Sequence, residues 1–283
     1  NSRKQQANKG KNPFDSFYVD KTINYIAERD TPLDGNDVKM SSVCKVFDSA
    51  FYSSNYVYQD IAENIEDLIE EAIKTNQLEC VITSDEKMFN QFHNILVYHV
   101  TEAIIKKLSS TKNPQPIIGV VKMLNHSIKN LKNILEKEKV KIVILDEIND
   151  PGNLGTIIRT SAALGYEAII MSNDCVDLYN EKVVRSTQGV LFKIPIIRGD
   201  LIEIIQLLKK SNIICYGTSL NKAYDLKDMN KSSRFAICVG NEARGVRADI
   251  LSLMDYNIKI SMQNDVESLN VAIALGIIMY ELK

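Results

Sequence analysis

From residue 140 onward, short apolar runs alternate with amphipathic or polar stretches. VKIVILD (140–146) precedes a helical pattern at 154–164, and EAIIMS (167–172) precedes one near 180–189. FKIPII (192–197) leads into the amphipathic DLIEIIQLLKKS (200–211), and NIICYGTSL (212–220) into a polar excursion at 221–233. Two more strand–helix pairs close the chain, FAICVGNEARGVRADIL (235–251) and IKISMQNDVESLNVAIALGIIMYEL (258–282). The strand segments are almost unbroken in Val, Ile and Leu, as strands covered on both faces must be. The pattern predicts a parallel α/β domain, whose loops at the C-terminal strand ends are the usual place for a ligand.

Upstream, the periodicity is that of a smaller α/β module. YQDIAENIEDLIEEAIKT (58–75) sets Ile61, Ile65, Leu68, Ile69 and Ala72 on one helical face. Strands are expected at 78–84, 95–100 and 116–123, with helices at 86–92 and 101–110, the latter opening on Thr101 as N-cap. LNHSIKNLKNILEKEK (124–139) is a linker helix or the first helix of the second domain, with Leu124, Ile128, Leu131 and Leu135 at helical spacing. Residues 1–57 have helical spacing at 14–28 and a turn signal at 31–37, and nothing that fixes a fold. The organisation expected is therefore an N-terminal extension (1–57), an α/β module (58–123) and a larger α/β domain (124–283) with its linker helix at 124–139.

Composition narrows the chemistry. A formal charge of −2 over 283 residues gives no global attraction for nucleic acid, so any such contact must come from local patches. Lys106, Lys107, Lys112 and Lys122 form either a solvated face or a phosphate-contacting one. The five cysteines contain no C-x-x-C pair and read as reduced, mostly buried thiols of a cytosol-like compartment. The three histidines have no clustered cysteine partners, so no zinc site is expected. No apolar run approaches a membrane helix, and the first residues lack a secretory h-region and read as a solvated tail.

Polar residues with chemical potential gather at three strand–helix junctions. In PGNLGTIIRT, Gly152 and Gly155 flank Asn153 where backbone N–H groups could meet an anion, and Arg159 follows on the helix. In VGNEARG, Glu242 either caps the next helix or serves a site. In MQNDVESLNV, Ser268 reads as the N-cap of a helix that is apolar on almost every side. Such a helix must be buried all round, which predicts that a second subunit covers part of it. G-x-G-x-x-G and the Walker loop are both absent.

These three segments resemble the three motifs of the SpoU (TrmH-type) RNA 2′-O-ribose methyltransferases of the SPOUT superfamily. Asp150 to Thr160 resembles D-P-x-N-x-G-x-x-x-R-T; Gly240, Glu242 and Gly245 resemble G-x-E-x-x-G. Ile260, Met262, Glu267, Ser268, Leu269, Asn270 and Val271 resemble I-P-M-…-E-S-L-N-V. Two positions depart from the pattern: Ser261 stands where proline is usual and Asn264 where glycine is usual. More weakly, 58–123 resembles the L30e-like RNA-binding domain that precedes the catalytic domain in many members.

The resemblance implies a deep trefoil knot at the C-terminus, a homodimer whose active site borrows from both subunits, and S-adenosylmethionine as cofactor without a metal. It implies a cofactor pocket formed by Thr218, Ser219, Leu220, Gly240, Asn241, Ile260, Met262 and Leu269, and a reaction centre of Asn153, Arg159, Glu242, Ser268 and Asn270. A guanidinium is too weak an acid to serve as a base near neutral pH, so Arg159 is expected to clamp a phosphate and stabilise a developing alkoxide. The implied activity is methylation of a ribose 2′-hydroxyl, in ribosomal RNA, by a cytoplasmic or organellar protein outside the membrane. The alternatives are a transfer-RNA 2′-O-methyltransferase, a base methyltransferase of the same superfamily, a non-catalytic RNA-binding assembly factor on the same fold, and a plain nucleotide-binding α/β protein.

Overall fold

The computed structural model describes residues 56–59, 65–87, 95–109, 113–124, 126–264 and 268–283. The helix at 14–28, the turn at 31–37, most of the helix at 86–92, Lys112 and Glu267 lie outside the described residues. Two compact units divide between Met123 and Leu124.

In the first unit a four-stranded sheet has the order β1 (Tyr56–Gln59), β4 (Ile117–Lys122), β2 (Leu78–Thr83), β3 (Leu96–His99). β4 runs antiparallel to both neighbours, and β2 and β3 are parallel. Helix α1 (Ile65–Lys74) buries Ile69 and Ala72, with Ile69 packed against Val81 and Ile117. α2 (Glu102–Leu108) buries Ile104, Ile105 and Leu108. The single helix expected over 58–75 is thus corrected: Tyr58 and Gln59 are in a strand paired with Val120 and Gly119. YVYQ is aromatic and β-branched, and the edge of β4 offers it a hydrogen-bonded partner that a helical start would forgo. β1 also crosses the boundary expected between Val57 and Tyr58.

The second unit is built on seven strands, every neighbouring pair parallel, in the order β7-β6-β5-β10-β8-β11-β9. These are β5 (Val140–Asp146), β6 (Ala168–Met171), β7 (Ile196–Arg198), β8 (Ile214–Thr218), β9 (Tyr224–Asp225), β10 (Arg234–Gly240) and β11 (Tyr256–Lys259). The polar excursion at 221–233 therefore supplies one short strand, β9. Helices α3 (Ile128–Leu135), α4 (Pro151–Ala163), α5 (Glu181–Thr187), α6 (Leu201–Lys210), α7 (Ala248–Leu251) and α8 (Val271–Leu282) connect or flank them. α3 belongs to this unit: Leu131, Ile134 and Leu135 join Val140, Ile142, Ala236 and Leu208 in one core cluster.

β5 and β10 occupy the middle of the sheet and are buried along nearly their whole length. Their register, Arg234↔Val140 through Gly240↔Asp146, brings the Gly240 and Asp146 ends level. That alignment places the first and second polar junctions side by side. β8 and β11, the next two strands, bring the third junction to the same edge.

Candidate functional site

Each junction is shaped by a local rule. β5 ends at Asp146, whose carboxylate is fully buried. α4 then starts at Pro151, a residue suited to a first helical turn, with Asp150 as N-cap accepting from the Asn153 N–H at 2.8 Å. This corrects the helix start expected near 154 and the reading of the turn as an anion nest. The Asn153 N–H is already taken, and Gly155 is a packing position. A Cβ there would lie 2.3 Å from Ser186 Cβ and 2.8 Å from the Val183 carbonyl of α5.

The second junction folds back on the end of its own strand. A Cβ on Gly240 would lie 2.2 Å from the Gly245 carbonyl carbon and the Val246 nitrogen, so only glycine admits this approach. Gly245 takes φ +71°, and Asn241 closes the turn by accepting from the Ala243 and Arg244 N–H groups. The loop is anchored to the end of β5. Arg247 gives its backbone N–H and its Nε to the two oxygens of Asp146, each at 2.9 Å. Asn241 Nδ2 donates to the Glu147 carbonyl at 3.0 Å, and Arg244 meets the Glu147 carboxylate at 2.6 Å. Asp146, Glu147, Arg244 and Arg247 were not among the residues singled out from the sequence. The signal available was an Asp closing the apolar run at 142–145, since an unpaired buried charge is not tolerated.

Glu242 does not cap the helix that follows it. Its carboxylate turns to the first junction and accepts from Asn153 Nδ2 (3.0 Å), the Asp150 N–H (3.2 Å) and the Asn149 N–H (3.4 Å). Burial opposes its charge, but these donors outweigh burial and hold its pKa below the ordinary value. Asn153 Oδ1 accepts in turn from Asn270 Nδ2 at 2.9 Å. Asn270 Oδ1 accepts from the Ala272 and Ile273 N–H groups at 3.0 and 3.3 Å. Asn270, not Ser268, is therefore the N-cap of α8. The result is a one-way relay from the α8 N-terminus through Asn270 and Asn153 to Glu242. It joins all three junctions and leaves each amide a single consistent orientation.

Beside the relay lies a cleft of about 660 Å³. Thr218, Ser219 and Leu220 line it from the end of β8; Gly240, Asn241 and Glu242 from β10; Ile260 and Met262 from beyond β11; and Ser268, Leu269 and Asn270 from the approach to α8. Leu220 and Leu269 are 59% and 37% exposed, so apolar surface is offered at the opening. Asn153 reaches this group through its amide contacts. Arg159 does not line the cleft; it is exposed on α4, next to Thr160, and a Cβ on Gly276 of α8 would be 3.8 Å from Thr160 Cγ2. Among the described residues, no cluster of His, Cys, Asp and Glu could hold a metal, and no helix is long and apolar enough to cross a membrane.

Residues 141–280 match the sequence profile of the SpoU rRNA Methylase family. The chain is 33% identical over 221 residues to the Bacillus subtilis 23S rRNA (guanosine(2553)-2′-O)-methyltransferase RlmP, spanning 77% of this chain and 86% of that protein. The AdoMet-bound rRNA methyltransferase crystal structure from Sinorhizobium meliloti superposes with a TM-score of 0.72 at 27% identity, covering 82% of this chain and 88% of that one. The methyltransferase AviRb from Streptomyces viridochromogenes, solved with AdoMet, has the same fold, with a TM-score of 0.72 at 23% identity over 82% of this chain and 90% of its own.

Proposed function

This chain belongs to the SpoU rRNA methylase family, and from that premise we propose that it transfers the methyl group of S-adenosylmethionine to a ribose 2′-hydroxyl of ribosomal RNA. The observation that carries the assignment to a site is the cleft. All three family motifs converge on one edge of one parallel sheet, and the relay Asn270–Asn153–Glu242 runs along its side.

The cleft suits the cofactor in size, since pockets of roughly 300–1,000 Å³ accommodate ligands of that class. Its lining mixes exposed Leu220 and Leu269 for an apolar ring with backbone and hydroxyl groups at 218–220 and 240–242 for polar atoms. When bound, S-adenosylmethionine supplies an electrophilic methyl that needs no activation by the protein. The chain's own tasks are alignment and charge. Gly240 lets the loop at 241–246 close on the strand end, and Asp146–Arg247 holds that loop in place. Asn153, Asn270 and ionised Glu242 fix the wall facing the incoming ribose, and Ser268 sits beside them at the cleft. Pre-organised polar groups of this kind cost no reorganisation when charge develops. Arg159 clamps the adjoining phosphate and stabilises the developing alkoxide.

A homodimer completes this reading. Ile273, Ile277 and Tyr280 recur at helical spacing on α8 and are 58%, 39% and 67% exposed. α4, which carries Arg159, packs beside α8, so a second copy seated on that apolar stripe would bring its own Arg159 towards this edge. The strand order supports a C-terminal trefoil knot: β10 lies between β5 and β8, and β11 lies beyond β8. The first unit, with its mixed sheet and exposed Lys106 and Lys107, serves as an L30e-like RNA-binding domain. Action on ribosomal RNA implies a location in the cytoplasm or an organelle, where that RNA is found.

The test is transfer of tritiated methyl from S-adenosylmethionine to ribosomal RNA and to transfer RNA, followed by nuclease mapping of the product. Label on a ribosomal 2′-oxygen is the expected result. Label on transfer RNA or on a base would replace the substrate assignment, and cofactor binding without transfer to any RNA would favour the assembly factor.

A further inference from the structure

The loop that follows β11 contributes Ile260 and Met262 to the cleft. The β9·β11 ladder ends at Lys259↔Asp225. Beyond it Asn264 stands in a turn and takes a left-handed φ of +58°. Ser261 stands where the motif pattern carries proline. Proline restricts its own φ and so lowers the entropy lost when a loop becomes ordered. Serine does not.

What the chain has instead is a side-chain contact. Between Ile260 and Met262, which line the cleft, Ser261 donates its hydroxyl to Asp225 Oδ2. Asp225 is itself held in place: it is the β9 partner of Lys259, and its Oδ1 accepts from the Lys227 N–H at 3.0 Å, capping the turn at 226–228. Its two oxygens therefore join the polar excursion to the loop beyond β11. We propose that the Ser261–Asp225 hydrogen bond is a latch that pre-orders this loop for cofactor binding, taking over the role of the absent proline, and that Asp225 is a positioning residue for the cofactor although it does not line the cleft. The inference rests on the reading that the cleft holds S-adenosylmethionine. The Ser261 hydroxyl, then the Lys227 N–H and the nearby Lys227 and Lys259 charges, keep Asp225 ionised and a strong acceptor.

Calorimetric titration of the full chain with S-adenosylmethionine tests it. Ser261→Ala and Asp225→Ala should each weaken binding about three- to tenfold, and the double variant should be no weaker than either alone. Ser261→Thr, which keeps the hydroxyl, should bind as the parent does. Ser261→Pro should restore affinity to within about twofold and make Asp225→Ala silent in its background. A merely structural role would move the melting temperature and would not be rescued by proline. Unchanged affinity in Ser261→Ala, or an equal loss from Asp225→Ala with Pro at 261, would overturn the latch. Failure of the parent chain to bind the cofactor would instead strike the functional reading beneath it.

Discussion

The two walls of the cleft are made differently. On one side, Asn153, Glu242 and Asn270 are side chains hydrogen-bonded to one another. On the other, Thr218–Leu220, Gly240 and Ile260–Met262 present largely backbone and apolar surface at the ends of three strands. The first wall depends on residue identity, the second on where the backbone runs. Substitutions should therefore separate chemistry from cofactor affinity, and the contrast can be broken at several points.

Arg159→Ala should have the largest effect, a fall in turnover of about 10²–10³-fold with cofactor affinity nearly unchanged. Arg159→Lys should not rescue, because a point charge cannot reproduce a bidentate contact. Loss of cofactor affinity in calorimetry would remove Arg159 from the reacting side. Gly240→Ala should damage the opposite wall. The added methyl collides with backbone at Gly245 and Val246, and the strain should cost about 1–3 kcal/mol in urea unfolding together with a loss of cofactor binding.

A smaller effect is expected from the relay. Asn153→Ala and Asn270→Ala should each lower kcat by about tenfold, and the pair should lose less than the product of the two, since both interrupt one chain of hydrogen bonds. Strictly multiplicative losses would show that the two amides act independently. The smallest effect is the pH dependence of Glu242. Its folded pKa is depressed, so its contribution is complete above the ordinary carboxylate value of 4.5 and fades as pH falls through the lower, folded value. Melting curves of the parent and Glu242→Gln should differ at pH 6 and converge as the pH drops below 4.5. A gap that persists at low pH would mean that carboxylate charge is not what holds the 149–153 turn.

Much of this protein is legible in its sequence. The parallel α/β domain followed from strands apolar on both faces, and Asn153, Glu242 and Asn270 from polar residues at three strand–helix junctions that resemble one family's motifs. What pattern could not supply was direction. Ser268 was the expected cap of α8, yet Asn270 holds that place, because its amide can cap the helix and reach Asn153 together. Glu242 read either as a cap or as a site residue, and its carboxylate faces a turn 89 to 93 residues away in sequence. Tyr58 and Gln59 read as helix until β4 offered them an edge. The Asp146–Arg247 and Ser261–Asp225 contacts left almost no local signal, spanning 101 and 36 residues.

The sequence by itself determined the alternation of strands and helices from residue 140 onward and which polar residues stand near their ends, because burial and hydrogen bonding act on neighbours along the chain. Only the tertiary structure decided which of those ends meet. Strand order brings β10 between β5 and β8, and that placement, invisible to any local period, turns three separate turns into one cleft.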